Sequence, residues 1–71
     1  MINIIPVRSS NLNAVGYDSI NHILTIRFNN GTVYEYYRVP MHTYTGLMSA
    51  GSKGSYHHRN IRGHFKYRRI R

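Results

Sequence analysis

Residues 23–36 read Ile-Leu-Thr-Ile-Arg-Phe-Asn-Asn-Gly-Thr-Val-Tyr-Glu-Tyr, and this stretch decides the fold. Its first half places Leu24, Ile26 and Phe28 at a period of two, as expected of a strand with one buried face. An Asn-Asn-Gly turn follows. Residues 32–39 then combine β-branched and aromatic side chains, which are typical of a strand. The stretch predicts a tight antiparallel hairpin.

The register of this hairpin follows from the position of Glu35. A two-residue loop pairs Ile26 with Glu35 and turns the glutamate toward the core, where an unpaired carboxylate is costly. A three-residue loop ending at a left-handed Gly31 instead pairs Ile26 with Tyr34, and we expect this register. The covered face then carries Leu24, Ile26, Phe28, Tyr34 and Tyr36, and the opposite face carries Arg27, Glu35 and Tyr37.

The pattern after the hairpin changes to the period of a helix. Pro40 suits a first helical position and Gly51 suits the stop. The apolar stripe of this helix consists of Met41, Tyr44, Leu47 and Met48. Gly46 lowers helical propensity by about 1 kcal/mol relative to alanine, so the helix must rely on packing or allow a close approach of another group.

The remaining segments complete a small domain. Residues 11–17 predict a strand that enters a hairpin loop at residues 18–22. Residues 55–61 fit either a short helix or an ordered loop, and residues 65–70 alternate well enough for an edge strand that carries charge outward. We therefore expect an α+β fold: a small antiparallel sheet of three to four strands, one helix packed across it and a basic C-terminal segment.

Length and composition bound the class of protein. A chain of 71 residues forms one domain, residues 1–71, and we expect its stability to be modest. Self-association as a homo-oligomer would increase that stability. The sequence has no cysteine, which is compatible with a reducing compartment. The opening residues lack the basic start of a secretory signal, and no apolar run approaches the ~20 residues that span a bilayer. We expect a cytoplasmic protein that does not enter membranes.

The charge of the chain is concentrated at its C-terminal end. Seven of the ten basic residues and neither of the two acidic residues lie in residues 53–71. These cations are Lys53, Arg59, Arg62, Lys66, Arg68, Arg69 and Arg71. A field of one sign that is this local favours a polyanionic partner, and arginine suits phosphate because its planar fork donates two parallel hydrogen bonds.

Tyrosines accompany the basic residues and can stack on bases. Tyr37 lies on the outer face of the predicted hairpin and Tyr56 lies among the cations, so both are candidate stacking residues. Strand alternation makes Tyr34 and Tyr36 candidates for the core first and for stacking on bases second. Tyr67 is an equal candidate for stacking on a base or on an arginine.

Catalytic and metal chemistry have little support in the residues. The histidines at residues 57, 58 and 64 lack a helical pair four residues apart and a nearby carboxylate or cysteine, so we expect no metal and no cofactor. Asp18 sits in a turn and Glu35 is isolated, which argues against a carboxylate pair. A small ribonuclease working with His57, His58, His64 and Tyr56 remains an alternative.

Several short motifs in fixed order resemble a known family. They are Val15-Gly16-Tyr17, Asn30-Gly31, Tyr34-Glu35-Tyr36, Val39-Pro40, Ser52-Lys53-Gly54-Ser55-Tyr56 and Asn60-Ile61-Arg62-Gly63. Over roughly residues 8–70 the chain resembles the KTSC domain, named for the C-terminal domain of some lysyl-tRNA synthetases. The resemblance implies a small α+β module of bacteria and phages for which RNA binding has been suggested, with Tyr34, Tyr36, Gly31 and Pro40 as its structural signature.

The chain departs from that family after Tyr56, where an aromatic residue and an asparagine are usual and His57 and His58 stand instead. If this position contacts a ligand, the histidines make binding sensitive to pH, because their ordinary pKa lies near ~6.5. The alternative is that both are exposed polar replacements.

Together these patterns predict a non-catalytic module that binds nucleic acid, with RNA preferred to DNA. The expected binding residues are Lys53, Arg59, Arg62, Lys66, Arg68, Arg69, Tyr56 and Tyr37. The alternative is a module that captures a nucleotide or another compact anion on residues 52–54, as a phage decoy or a bacterial sensor would.

Overall fold

The computed structural model describes residues 4–71, in which five strands form one antiparallel sheet in chain order. The strands are β1 (Ile4–Pro6), β2 (Leu12–Asp18), β3 (Ile23–Phe28), β4 (Val33–Tyr36) and β5 (Tyr67–Arg69). Helix α1 (Met41–Ser49), helix α2 (Lys53–Tyr56) and a π-helical segment (His57–Ile61) lie between β4 and β5. The opening residues 1–3, where the sequence lacks the basic start of a secretory signal, lie outside the described residues.

The β3–β4 hairpin has the predicted three-residue loop. The Phe28 amide donates to the Thr32 carbonyl at 2.8 Å, and Gly31 takes a left-handed φ of 90°. Ile26 faces Tyr34, so Glu35 points away from the core as expected. The second strand was predicted to reach residue 39, but β4 ends at Tyr36, because Arg38 has a left-handed φ of 56° that turns the chain out of the sheet.

The core lies between one face of the sheet and the helices. It consists of Leu12, Val15, Leu24, Ile26, Tyr36, Val39, Leu47 and Ile61. Tyr36, only 4% exposed, belongs to it as predicted, whereas Phe28 and Tyr34 are only partly buried. Both pack against the core from its margin, and the ring of Phe28 meets that of His57 at 5.2 Å.

Helix α1 begins directly after Pro40 and ends just before Gly51, close to the predicted bounds. It buries Thr43 and Leu47, so Met41, predicted for the apolar stripe, lies at the margin of the buried face and is 51% exposed. No helix between residues 4 and 71 is long and apolar enough to cross a membrane.

Gly46 allows the close approach that its low propensity predicted. A methyl group added at Gly46 would lie 2.9 Å from Cζ of Tyr56, so the tyrosine ring occupies the space that any other residue would need. Tyr56 itself packs against the core. The contact therefore joins α1 to α2.

The α+β class with one antiparallel sheet is confirmed, and the sheet is larger than the expected three to four strands. The additional strand, β1, pairs with β2 and brings Pro6 opposite Ala14. It is an exposed edge strand of three residues, where proline is tolerated because its missing N–H is not needed. A second short helix, α2, also joins the single helix that was expected.

Candidate nucleic-acid interface

A cavity of about 310 Å³ opens beside the last two strands, and we term it the aromatic pocket. It is lined by Phe28, Thr32, Tyr34, Tyr36, His57, Arg62, Gly63 and Tyr67. The ring of Tyr67 lies 5.5 Å from that of Tyr34 and 5.9 Å from that of Tyr36, measured between centroids. Phe28 meets Tyr34 edge-on at 5.7 Å. The pocket therefore presents mainly aromatic walls, with one guanidinium in its lining.

Strand alternation and the return of the chain together build these walls. Phe28, Tyr34 and Tyr36 share the face of the sheet that the helices cover only in part. Gly63, with a left-handed φ of 79°, lies in the turn that leads back toward β4. Strand β5 then pairs with β4 so that Tyr67 faces Tyr36.

A hydrogen-bonded pair, Tyr36 and His57, forms part of the pocket lining. Oη of Tyr36 and Nε2 of His57 are 2.8 Å apart, and the two rings meet edge-on. Burial, helped by Arg62 and His58, lowers the pKa of His57, while burial and the neighbouring Tyr34 and Tyr67 raise the pKa of Tyr36 to about 12. Near neutral pH both side chains are therefore uncharged.

The two adjacent histidines have different surroundings. His57 is half-buried and bonded to Tyr36, so it is more than an exposed polar replacement. His58 is exposed and fits that description. The π-helical segment carries both residues, and it turns only the first toward the sheet.

The aromatic pocket continues toward the helices as a series of depressions. Arg62 and His57 line both the pocket and the next depression. That depression shares Gly54 and His58 with a third one, which Arg59 also lines. Successive depressions thus share lining residues and form a path along which the basic side chains of Arg62 and Arg59 lie.

The same path continues in the other direction along β5. Gly63 and Tyr67 line both the aromatic pocket and a further depression, and that one shares His64 and Lys66 with a last depression that Tyr37 lines. We term the whole series, from Arg59 through the aromatic pocket to Tyr37, the basic groove. Its cationic lining residues are Arg38, Arg59, Arg62 and Lys66.

Neither acidic residue of the chain lines the basic groove. Asp18 accepts hydrogen bonds from the amides of Ile20 and Asn21 in the β2–β3 turn. The pKa of this carboxyl is lowered, and its bonds with Asn21 are the main cause. Glu35 faces Arg68 across the β4–β5 ladder and accepts a hydrogen bond from Tyr37 at 3.0 Å. The groove therefore offers cations without a competing carboxylate in its lining.

Arg59, Arg62, Lys66 and Tyr37 are the predicted binding residues that the groove brings together. The other four lie elsewhere. Nζ of Lys53 donates to the carbonyl of Ala50, and Tyr56 is packed against Gly46. Arg68 lies on the opposite face of the sheet, next to Glu35.

Arg69, the fourth, lies opposite Tyr34 in the β4–β5 ladder without lining the aromatic pocket. Its Nε donates to the carbonyl of Arg71 at 2.8 Å. The predicted cations therefore divide among the groove, the opposite face of the sheet at Arg68, the start of α2 at Lys53 and strand β5 at Arg69, although they are clustered in sequence.

The aromatic pocket itself was not predicted from the sequence. Phe28 and Tyr34 were assigned to the core, and Tyr67 had no partner until β5 was placed beside β4. The signal that could have revealed it is the presence of two aromatic residues on β4 and one on the last strand, which come together when these strands pair. Within the described part of the chain, no three histidine or acidic side chains are grouped so that they can hold a metal ion.

The resemblance to the KTSC domain is tested by comparison with known proteins. The family model of the KTSC domain matches residues 8–65. A lysine–tRNA ligase of Trichormus variabilis is 44% identical over 54 residues, which cover 76% of this chain and 10% of that protein. The chain therefore spans about a tenth of the length of the ligase it matches. A protein of Stutzerimonas stutzeri is 33% identical over 67 residues, covering 93% of this chain and 94% of that protein.

A solved structure extends the likeness to the complete fold. The crystal structure of a KTSC domain protein from Yersinia pestis is 38% identical in sequence and superimposes with a TM-score of 0.94 over 100% of both chains. The motifs, the family match and this superposition agree, and the chain belongs to the KTSC domain family.

Proposed function

We propose that this protein binds single-stranded RNA without cleaving it, with the RNA backbone following the basic groove. The observation that carries the proposal is the continuity of the groove: Arg59, Arg62 and Lys66 line successive depressions, and no carboxylate lines any of them. An extended polyanion matches a row of separated cations better than a single compact anion does.

The size of the molecule limits how much RNA it contacts. The described residues extend 28 × 24 × 22 Å, so a strand that crosses one side meets only a few nucleotides. This is the lower end of the ~4–16 nucleotides that small single-strand-binding folds cover. Binding of this kind depends on phosphate contacts and stacking, so we expect little dependence on base sequence.

A preference for RNA over DNA has support in the polar lining of the groove. Ser10 and Asn11 line it, and among the described residues no intramolecular hydrogen bond engages their side chains, whereas Thr32, Asn29 and Asn30 also line it but are bonded within the protein. Such groups can exchange hydrogen bonds with a ribose 2′-hydroxyl, which is the group that distinguishes RNA from DNA.

The nucleotide-capture alternative on residues 52–54 has less support. Its lysine, Lys53, donates to the Ala50 carbonyl, and Oγ of Ser52 accepts a hydrogen bond from the Ser55 amide at 3.4 Å. The lysine ammonium and the Ser52 hydroxyl, two of the groups that would hold a phosphate, are therefore engaged within the protein. The ribonuclease alternative has a candidate in His57, but its Nε2 is already bonded to Tyr36.

The proposal is tested by measuring fluorescence polarisation of a labelled single-stranded RNA across a salt series. We expect log affinity to fall linearly with log salt, and Arg59→Ala with Arg62→Ala to reduce the slope by about 0.7 for each phosphate that is no longer neutralised. The matched control, Arg8→Ala with Arg68→Ala, removes the same charge outside the groove and should leave the slope nearly unchanged.

Equal decreases of affinity in the two double variants would contradict a role for the groove, because they would reflect net charge alone. Absence of RNA binding, or an affinity that does not change with salt, would refute the proposed function. The same RNA is run on a denaturing gel after incubation: intact RNA is expected, and cleavage that His57→Ala abolishes would favour the ribonuclease.

A further inference from the structure

We propose that the aromatic pocket receives one unstacked base of the bound RNA, with its ring against Tyr67 and Tyr34 and the adjoining phosphate beside Arg62. This inference rests on the proposed function and extends it, because it assigns a ligand group and a position to a cavity that phosphate binding alone does not require.

The dimensions of the pocket suit a single base. Its volume of about 310 Å³ lies at the small end of the ~300–1,000 Å³ typical of ligand pockets. It therefore has room for one base with part of its ribose. Tyr67 is 59% exposed and lies at the open side, so a ring can enter without moving the core.

The polar groups at the opening are free to contact a ligand. Among the described residues, no intramolecular hydrogen bond engages Oη of Tyr34, Oη of Tyr67 or the guanidinium of Arg62, whereas Oη of Tyr36 is bonded to His57. A base enters with its faces against tyrosine rings and its polar edge near free hydroxyls. Stacking with a few edge contacts is the usual way in which proteins hold splayed-out RNA bases.

The charge of the pocket argues against the other common occupant of an aromatic cage, a quaternary ammonium ion. Tyr34, Tyr36 and Tyr67 resemble such a cage. Arg62 lines the same cavity, however, so its guanidinium would repel a cation. With an uncharged Tyr36 and His57 pair, the pocket favours a neutral planar ring attached to an anionic group.

The inference is tested with oligoribonucleotides that carry a single 2-aminopurine, moved one position at a time. We expect its fluorescence to be quenched strongly at one position, and removal of the base there to weaken binding by about 5- to 150-fold, as the removal of one stacked base does. Tyr67→Leu should abolish the quenching and weaken binding to a similar degree. The matched control Tyr37→Leu removes a ring outside the pocket and should retain the quenching.

The possible results distinguish a failure of the base pocket from a failure of the proposed function. Binding that depends on salt but shows no quenching at any position, or an equal loss of quenching in the two tyrosine variants, overturns the base pocket and leaves the proposed function standing. Absence of RNA binding overturns both. Binding of tetramethylammonium that Tyr67→Leu abolishes would also overturn the base pocket, because the cavity would then be a cation cage.

Discussion

Replacement of Tyr36 by phenylalanine isolates the hydrogen bond in the lining of the aromatic pocket. It removes one hydroxyl and keeps the ring that packs into the core. Oη of Tyr36 lies 2.8 Å from Nε2 of His57, within the ordinary range of a strong hydrogen bond. Such a bond contributes about 0.5–1.5 kcal/mol net, and a buried partner left unsatisfied costs about 1–3 kcal/mol.

The position of His57 determines where the effect falls in this range. Its ring is half-buried, so water reaches it only in part once the hydroxyl is removed. We expect Tyr36→Phe to lower the free energy of unfolding by about 1–2 kcal/mol. In a domain of this size, each 1 kcal/mol lowers Tm by roughly 4–8 °C. Urea and thermal unfolding at pH 7.5, followed by circular dichroism, measure both quantities.

Tyr34→Phe is the matched control for this measurement. Tyr34 lies on the same strand and lines the same pocket, but within residues 4–71 no hydrogen bond engages its hydroxyl. We expect its unfolding free energy to stay within about 0.5 kcal/mol of the wild type. Equal destabilisation in the two variants, or none in Tyr36→Phe, would refute the assignment of a stabilising bond to Tyr36 and His57.

Two further predictions concern His57, which joins the π-helical segment to the sheet, and Gly46, which joins α1 to α2. Because the pKa of His57 is lowered in the folded state, the unfolded chain binds more protons at this residue. Stability should therefore fall as the pH drops below the ordinary histidine pKa of ~6.5 and through the lower pKa of the folded state. Unfolding midpoints from pH 8 to pH 5 should show a smaller fall in His57→Gln than in the control His58→Gln, and identical falls would contradict the assignment. Gly46→Ala should destabilise the protein by about 1 kcal/mol, because overpacking against Tyr56 costs about 1–3 kcal/mol and the helical gain is only about 1 kcal/mol. The control Gly51→Ala meets open space and should change the urea midpoint little, whereas a stabilised Gly46→Ala would disprove the contact.

The sequence predicts those features that depend on neighbouring residues. The position of Glu35 was enough to choose the hairpin register, because the alternative buried a carboxylate. Gly46 was recognisable as a contact point because a glycine weakens a helix that must then be held by packing. Both inferences need only local geometry and the cost of burying charge.

Features that depend on distant pairing could not be obtained in this way. Strand β1 is too short for a period of two to be visible, and its residues are exposed. Tyr67 meets Tyr36 only because β5 returns beside β4, and nothing near residue 67 specifies that partner. His57 faces the sheet because residues 57–61 form a π-helical segment, whose periodicity differs from that of the α-helix on which sequence patterns rest.

The chain-order topology of the sheet has a consequence for motion. Strands β1 to β4 are joined by short connections, whereas residues 37–66 separate β4 from β5. Strand β5 has three exposed residues, and backbone bonds extend its pairing with β4 at both ends, from the Tyr37 amide to the Lys66 carbonyl and from the Ile70 amide to the Val33 carbonyl. A short exposed edge strand opens at a smaller free energy than the central strands of a sheet do. The tyrosine at the open side of the pocket therefore belongs to an edge strand, so the pocket can widen to admit a ligand while the core of the domain stays folded.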